Sequence, residues 1–299
     1  MPAYMIEKFK LMIGCVLIVV LASVGAAMHV MSHSSAGVRA VVMPFERKEK
    51  EVYIGDNFSL PPVDNDLPVY DRYTTRERSA KGLPQSYSEP RSYFYGDHVA
   101  YLTFDDGPNK ANTETILSIL DREQVKATFF LTGTNVSRYP DVVRHIYQSG
   151  NAIGVHSYSH DYKKIYSSPQ AYIDELLKTE ESIYYVIGVR PIISRAPGGT
   201  AGHFTKAYWQ AIADIGYVDI GWNALTGDAD GTGKTADKAV ENLRRQLAER
   251  PYLNTHLIIL MHDAAGHEET VKALPRIIAM LKQQGYTFRV VTPATPPAW

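Results

Sequence analysis

Residues 102–108 read Leu-Thr-Phe-Asp-Asp-Gly-Pro, an apolar strand that runs into two neighbouring carboxylates and a Gly-Pro turn. Adjacent Asp side chains repel each other and are poor strand formers, so the fold gains nothing from the pair. A metal site can use both, with one carboxylate as a ligand and the other as a base beside a metal-bound water. The stretch therefore predicts a metal site that contains Asp105 and Asp106.

A second polar cluster, His156 and His160, also follows a short apolar strand. Histidines four residues apart meet on one face of a helix, and this spacing suits Zn²⁺ or a similar divalent ion. Asp106, His156 and His160 would form a triad of two imidazoles and one carboxylate. Such a triad leaves coordination positions open, which is typical of catalytic rather than structural metal sites. We therefore predict these three residues as the metal ligands.

Three further apolar runs end in polar residues. Residues 192–194 lead into Arg195, residues 217–222 lead into the polar segment 223–230, and residues 257–261 lead into His262. Buried parallel strands of a βα barrel present their polar groups at the carboxyl ends, where the active site lies. The repeated placement predicts a barrel of this kind.

The rest of the pattern supports an α/β fold, because strand and helix signals alternate about seven times between Val99 and Val291. Ser168 followed by Pro169 is a typical helix start, and Gly188 is a typical helix end. The predicted helices cover residues 112–124, 141–148, 169–187, 205–215, 235–249 and 269–284. The predicted strands in addition to those above cover residues 99–104, 127–131 and 287–291.

From about Gly96 to its end, the chain carries five ordered motifs: T-F-D-D-G-P, H-S-x-x-H, R-x-P-x-G, a W-N…D segment and L-x-H-D. With these motifs it resembles the polysaccharide deacetylases of the NodB-homology type (carbohydrate esterase family 4), most of all the peptidoglycan N-acetylglucosamine deacetylases. The resemblance implies a distorted (β/α)7 barrel. It also implies a metal-dependent amidase that removes acetyl groups from an N-acetylated sugar.

The resemblance implies a role for each motif residue. Asp105 resembles the general base, Arg195 the residue that orients it, and His262 the general acid. Asp228 resembles the acidic partner of Arg195, with Asp230 as the alternative. The expected metal is zinc, with Co²⁺, Ni²⁺ or Mn²⁺ as alternatives. Three residues are expected to contact substrate: Gly198, Trp222 and Leu260. The alternative for Trp222 is a place in the barrel wall, and the alternative for Leu260 is a place in the core.

Three positions depart from the family's pattern. Family members often have an aromatic residue in place of Gly198, an Asp-Trp pair in place of Asp228-Ala229, and an acid in place of Leu225. These differences remove bulk that would face the sugar. They leave the metal ligands, the base and the acid in place, so the resemblance still implies activity.

The N-terminal region predicts export. Residues 11–31 contain no Asp, Glu, Lys or Arg, follow Lys8 and Lys10, and are long enough to span a bilayer. We expect a single-pass membrane anchor with the catalytic domain outside the cell. Because small residues end the run, secretion after cleavage near Ala26-Ala27 is the alternative. Cys15 is the only cysteine, so no disulfide is expected.

Residues 32–95 mix charges with several prolines and show no persistent period. We expect a stalk, a linker or a segment wrapped on the barrel, followed by the deacetylase domain at 96–299. A short strand is possible at residues 51–54. The formal net charge of −1 gives no basic footprint for nucleic acid. The expected partners are an extracellular glycan and the membrane, and the expected state is a monomer.

The function predicted from these features is hydrolysis of N-acetyl groups on an extracellular amino-sugar polymer, with peptidoglycan GlcNAc as the preferred substrate. Chitin oligomers, xylan and poly-N-acetylglucosamine are alternative polymers. Two other classes of function are an amidase for a non-sugar substrate and a sugar-binding module without catalysis. The intact set of acidic and histidine residues argues against the binding module.

Overall fold

The computed structural model describes residues 52–54, 67–83 and 98–298. The predicted membrane or signal segment at 1–31, with Cys15, lies outside the described residues, as does most of the predicted stalk. In the part of the chain that is described, no helix is both long and apolar enough to cross a membrane.

The described residues form eleven strands, numbered here in chain order. The strands are β1 Val52–Ile54, β2 Val69–Asp71, β3 Val99–Asp105, β4 Thr128–Thr132, β5 Ala152–Ser157, β6 Arg190–Pro191, β7 Ile193–Ser194, β8 Val218–Asp219, β9 Ala224–Leu225, β10 His256–His262 and β11 Thr287–Phe288. Eight of them make one sheet in the order β8-β7-β5-β4-β3-β10-β9, with β11 also paired to β3. Every pairing in this sheet is parallel, and the sheet curls into a half-barrel. The predicted α/β class and parallel sheet are therefore confirmed.

Helices alternate with these strands. They are α1 Thr75–Ala80, α2 Lys110–Glu123, α3 Gly133–Arg138, α4 Pro140–Gln148, α5 Tyr162–Ile165, α6 Pro169–Ile187, α7 Lys206–Asp214, α8 Ala236–Glu249 and α9 Glu268–Gln283. A 3₁₀ turn, Pro251–Asn254, precedes β10. The six helices predicted from the sequence are confirmed, with ends that differ by two residues or fewer.

Local chemistry explains where the longest helix begins and ends. The Ser168 side chain accepts a hydrogen bond from the backbone N–H of Ala171, and Pro169 occupies the first helical position of α6. Gly188 ends the helix in the left-handed conformation with φ of 74°, which glycine adopts without a steric penalty. The sequence therefore specified both ends of α6.

Part of the predicted stalk region is regular structure. β2 pairs with β1 in parallel and with β6 in antiparallel orientation, and α1 follows it. Tyr70 is 1% exposed, and buried Arg78 forms an ion pair with Asp71. The strand possible at residues 51–54 is confirmed as β1. The other elements are three and six residues long, too short to produce the periodic pattern that would have predicted them.

Side chains that alternate along the central strands belong to two different apolar clusters. In β3, Val99 and Tyr101 join one cluster, whereas Leu102 and Phe104 join the larger cluster formed with the surrounding helices. Because side chains alternate with a period of two, Asp105 at the end of β3 lies on the face of Val99 and Tyr101. In the parallel register His262 of β10 is paired with Asp105, so both reach the same end of the sheet.

Candidate active site

The carboxyl ends of four sheet strands bring the predicted chemical groups together. Asp105 is the last residue of β3, His156 is near the end of β5, Arg195 follows β7, and His262 is the last residue of β10. Parallel strands end at the same edge of a sheet, and this edge is where α/β folds place their sites. The structure therefore places these polar groups at one edge of the sheet, as the sequence predicts.

Asp106 meets both predicted histidine ligands. Its Oδ1 lies 3.3 Å from His156 Nε2 and 3.1 Å from His160 Nε2. This oxygen is buried and accepts no well-formed hydrogen bond from the described residues. A carboxylate oxygen without a hydrogen-bond partner between two imidazole nitrogens fits a divalent cation, and the three side chains could together hold one. Burial raises the pKa of Asp106, but the two imidazoles outweigh burial and lower it.

The main chain orients the His156 ring. Its Nδ1 lies 2.8 Å from the Arg195 carbonyl oxygen. A carbonyl can only accept, so Nδ1 carries a proton, and in the neutral ring Nε2 is the nitrogen whose lone pair is available to a metal. Such a hydrogen bond on the second ring nitrogen fixes the tautomer of a metal-binding histidine.

The two histidines do not share a helix face, so that part of the prediction is wrong. His156 belongs to β5, and the chain then bends to His160, which has a φ of 55°. The His160 backbone N–H donates to Ser157 Oγ at 3.1 Å. A strand end followed by a tight turn brings the two imidazoles within 5.3 Å, centroid to centroid, just as a helical turn would. The spacing of His156 and His160 correctly predicted that the two rings lie close together, but the local structure is a strand end and a turn rather than a helix.

Glu175, which the sequence reasoning missed, holds the turn before His160. Its Oε2 accepts hydrogen bonds from the backbone N–H groups of Tyr158 at 3.0 Å and Ser159 at 2.7 Å. The Ser159 hydroxyl donates to the same oxygen at 2.8 Å, and Lys164 pairs with Oε1 at 2.5 Å. Glu175 is 2% exposed. A single carboxylate on α6 therefore fixes the chain on both sides of His160.

Arg195 contacts Asp105, as the sequence reasoning predicts. The guanidinium is fully buried, and its Nη1 donates to Asp105 Oδ1 at 2.9 Å and to Thr103 Oγ1 at 2.6 Å. Its Nε and Nη2 donate to the carbonyls of Ile220 and Gly221. These bonds fix the orientation of the guanidinium. Because Arg195 binds Oδ1 of Asp105, Oδ2 is the oxygen that can accept a proton.

The predicted partnership between Arg195 and Asp228 is wrong. Asp228 Oδ1 instead accepts from His262 Nδ1 at 3.0 Å, and its Oδ2 accepts from the His262 backbone N–H at 2.8 Å. The reason is the strand order: β9, which precedes Asp228, lies beside β10, whereas β7, which precedes Arg195, lies across the sheet. The alternative, Asp230, does not take the role either, because its carboxylate binds Thr232 within its own loop.

Asp228 changes the acid–base properties of His262. Burial lowers the pKa of His262, but the hydrogen bond and charge of Asp228 outweigh burial and raise the pKa to about 9. The pKa of Asp228 is lowered despite its burial, because His262, His267 and Thr270 stabilise its anion. His262 is therefore protonated at neutral pH, with Nδ1 bound to Asp228 and Nε2 as its other N–H.

The three predicted substrate contacts lie at the same edge of the sheet. Gly198 has a φ of 71°, and a Cβ there would lie 2.8 Å from the Tyr162 hydroxyl oxygen. Trp222 is partly exposed and lines a cleft of about 380 Å³ together with Gly198. Leu260 is partly exposed on β10, two residues before His262. A further aromatic residue, Tyr162, lies beside them: its ring is 42% exposed and lies 5.4 Å from the His160 ring, centroid to centroid. The sequence did not indicate it, because a lone tyrosine forms no motif.

Comparisons with known proteins agree with this arrangement. The family model for polysaccharide deacetylases matches residues 95–220. A peptidoglycan-N-acetylglucosamine deacetylase of Bacillus cereus is 33% identical over 193 residues, which cover 64% of this chain and 68% of that protein. Another from the same organism is 30% identical over 243 residues, covering 79% of this chain and 84% of the relative.

Solved structures give the same result. The catalytic domain of a peptidoglycan N-acetylglucosamine deacetylase from Eubacterium rectale has a TM-score of 0.62 and 30% identity, covering 71% of this chain and 96% of that chain. A polysaccharide deacetylase from Bacillus cereus has a TM-score of 0.59 and 32% identity, covering 65% and 92%. The chain belongs to the polysaccharide deacetylase family, the NodB-type carbohydrate esterases of family 4. Membership makes it a hydrolase of the polysaccharide deacetylase type.

Proposed function

We propose that this protein is a zinc-dependent N-deacetylase of an extracellular amino-sugar polymer, and that the GlcNAc residues of peptidoglycan are its substrate. The observation that carries the proposal is the different surroundings of two adjacent carboxylates. Asp106 faces two imidazole Nε2 atoms at 3.1 and 3.3 Å, whereas Asp105 is bound by the buried guanidinium of Arg195. One carboxylate is thus suited to a cation and its neighbour to moving a proton.

The proposed ligands are Asp106, His156 and His160. Two imidazoles and one carboxylate are donors that zinc accepts, and three protein ligands leave a coordination position open. A divalent cation held there supplies a Lewis acid for the acetyl carbonyl and lowers the pKa of bound water. Zinc is the proposed metal, with Co²⁺, Ni²⁺ and Mn²⁺ as alternatives that metal-exchange experiments distinguish.

The proton transfers fall to two side chains. Asp105 accepts the proton of the attacking water at Oδ2, because Arg195 occupies Oδ1. His262 donates a proton from Nε2 to the departing sugar nitrogen, because Nδ1 is held by Asp228. The products are acetate and a free amino sugar. The backbone N–H of Gly198 is the proposed donor to the developing oxyanion, since glycine lets the chain approach closely.

The substrate proposal is supported by the relatives that the comparisons name. Several are peptidoglycan N-acetylglucosamine deacetylases, and one is a bifunctional xylanase/deacetylase of Pseudobutyrivibrio xylanivorans that is 31% identical over 192 residues. The partly exposed Trp222 and Tyr162 beside the site offer aromatic faces for a sugar ring. Xylan, chitin oligomers and poly-N-acetylglucosamine are the competing polymers.

The experiment is acetate release by the purified full-length protein from each of these polymers, with and without a chelator. We expect the fastest release from peptidoglycan, its loss with the chelator, and its return with zinc. If no acetate is released from any N-acetylated polymer, the proposed activity is wrong. Faster release from chitin oligomers or poly-N-acetylglucosamine would overturn only the substrate, whereas faster release from xylan, whose acetyl groups are esters, would also overturn the assignment to an amide bond.

The location is proposed from the composition of residues 11–31. A run without Asp, Glu, Lys or Arg that follows Lys8 and Lys10 suits a single membrane span with its basic end inside the cell. The proposal therefore places the catalytic domain outside the cell; a monomeric state is a separate part of the proposal. Full-length protein in the membrane fraction would agree with it. A mature form in the medium that begins near Ala27 would support secretion instead.

A further inference from the structure

A second cluster of potential metal ligands lies beside the first. Asp228, His262 and His267 each offer one ligand atom, and these atoms lie within 4.8 Å of one another. The donor set of one carboxylate and two imidazoles is the same as that of Asp106, His156 and His160. The family resemblance assigns no role to His267, which immediately precedes α9.

The distances suit a small divalent cation. Asp228 Oδ1 lies 3.0 Å from His262 Nδ1, and Asp228 Oδ2 lies 3.7 Å from His267 Nδ1. Ligand atoms on tetrahedral zinc lie about 3.3 Å apart, given bond lengths of about 2.0–2.1 Å. The two imidazole rings stack with centroids 5.1 Å apart and an interplanar angle of 25°. The distances from the two Asp228 oxygens to the two imidazole nitrogens therefore bracket the spacing of ligands on zinc.

The cluster is largely buried, with Asp228 6% exposed, but both imidazoles keep some contact with solvent. The side chains of His262 and His267 are 12% and 20% exposed, so an ion reaches them without unfolding the domain. Binding exchanges the Nδ1–H···Oδ1 hydrogen bond between His262 and Asp228 for bonds from both atoms to the cation. The displaced proton on Nδ1 goes to solvent.

We propose that Asp228, His262 and His267 form an inhibitory site for a second zinc ion, next to the catalytic metal site. This inference rests on the proposed function, because inhibition follows from the role of His262 as the acid. With a cation on Nδ1, the ring is a neutral imidazole, and loss of its Nε2 proton would leave an imidazolate. The neutral, metal-bound imidazole is therefore too weak an acid to protonate the departing amine at neutral pH.

The second site is weaker than the first for two reasons. Asp228 Oδ2 already accepts hydrogen bonds from the His262 backbone N–H and the Thr270 hydroxyl, whereas Asp106 Oδ1 has no such bond. Binding at the second site also has to break the hydrogen bond between His262 Nδ1 and Asp228 Oδ1, whereas Asp106 Oδ1 has no hydrogen bond to lose. The two zinc ions are therefore expected to bind in separate steps.

The test is a zinc titration of metal-free, untagged full-length protein, followed by calorimetry and by acetate release. We expect two sites for the wild type, with the second site weaker than the first. Activity should rise with the first equivalent and fall as the second site fills. The variant His267→Gln should bind one zinc and show no fall. His145→Gln, at a surface histidine on α4, is the matched control and should behave as the wild type.

Each outcome decides the proposal. One site in the wild type, two sites in His267→Gln, or full activity with both sites filled would each overturn it. Asp106→Asn provides a second reading, because it should bind zinc only at the weaker site and lose that site when His267→Gln is added. The calorimetry needs no glycan, so a protein that binds two zinc ions but deacetylates nothing would separate failure of the proposed function from failure of this site.

Discussion

Arg195 Nη1 donates to Asp105 Oδ1 at 2.9 Å from a fully buried guanidinium, while the backbone carbonyl of the same arginine accepts from His156 Nδ1 at 2.8 Å. One residue therefore positions the proposed base with its side chain and a proposed metal ligand with its main chain. The two functions are separable, because a substitution changes the side chain and leaves the carbonyl.

Arg195→Lys should slow catalysis without removing the metal. A lysine cannot reproduce the planar fork that binds Thr103, Asp105 and two carbonyls, so the Asp105 carboxylate loses its orientation. We predict a fall in kcat of about a hundredfold, the scale of a misplaced catalytic group, with zinc content unchanged. Steady-state kinetics and metal analysis measure both quantities. Arg244→Lys, at an exposed arginine on α8, is the control, and parallel loss of zinc and activity would contradict the separation.

Asp228→Asn should shift the pH profile. His262 must be protonated to act as the acid, and its pKa of about 9 keeps it protonated across neutral pH. Without the carboxylate, the pKa of His262 falls towards its ordinary value of about 6.5, so the alkaline limb of kcat/KM should move down by about two pH units. An unchanged alkaline limb would show that Asp228 does not control the acid.

Glu175→Ala should weaken metal binding from a position that does not contact the metal. The turn before His160 loses three hydrogen bonds, and substitutions of such supporting residues typically weaken metal affinity about 10- to 100-fold. Glu175→Gln keeps one accepting oxygen and should lie between Glu175→Ala and the wild type. Competition with a fluorescent chelator measures the dissociation constant. Asp174→Asn, the exposed neighbour on α6, should leave it unchanged, and equal affinity in all four proteins would refute the role of Glu175.

The sequence predicted those parts of the site that are local to a strand end. The carboxylates Asp105 and Asp106 at the end of β3 and His262 at the end of β10 follow apolar runs, and the parallel register of those two strands pairs Asp105 with His262. Helix ends were equally predictable, because Ser168, Pro169 and Gly188 carry their own capping chemistry. At the strand ends and helix ends, the cause and its consequence lie within a few residues of each other, whereas the pairing of Asp105 with His262 depends on the sheet.

Contacts between loops could not be predicted from the sequence in the same way. Whether Asp228 reaches Arg195 or His262 depends on strand order, and nothing near Asp228 in the chain shows that β9 lies beside β10. Glu175 lies inside a long helix, where an acid usually faces solvent, and only the fold turns it towards the loop of His160. His267 precedes a helix whose start was predicted within one residue, yet its contact with Asp228 arises from packing.

The assignment of the two adjacent carboxylates is the central claim, and one paired measurement tests it most directly. Zinc content after dialysis against zinc-free buffer, together with acetate release, is measured for Asp105→Asn and Asp106→Asn. Asp105→Asn should keep one zinc and lose at least about a hundredfold in rate, the usual scale for a general base. Asp106→Asn should lose the zinc. Equal loss of zinc in the two variants, or full activity in Asp105→Asn, would contradict the account.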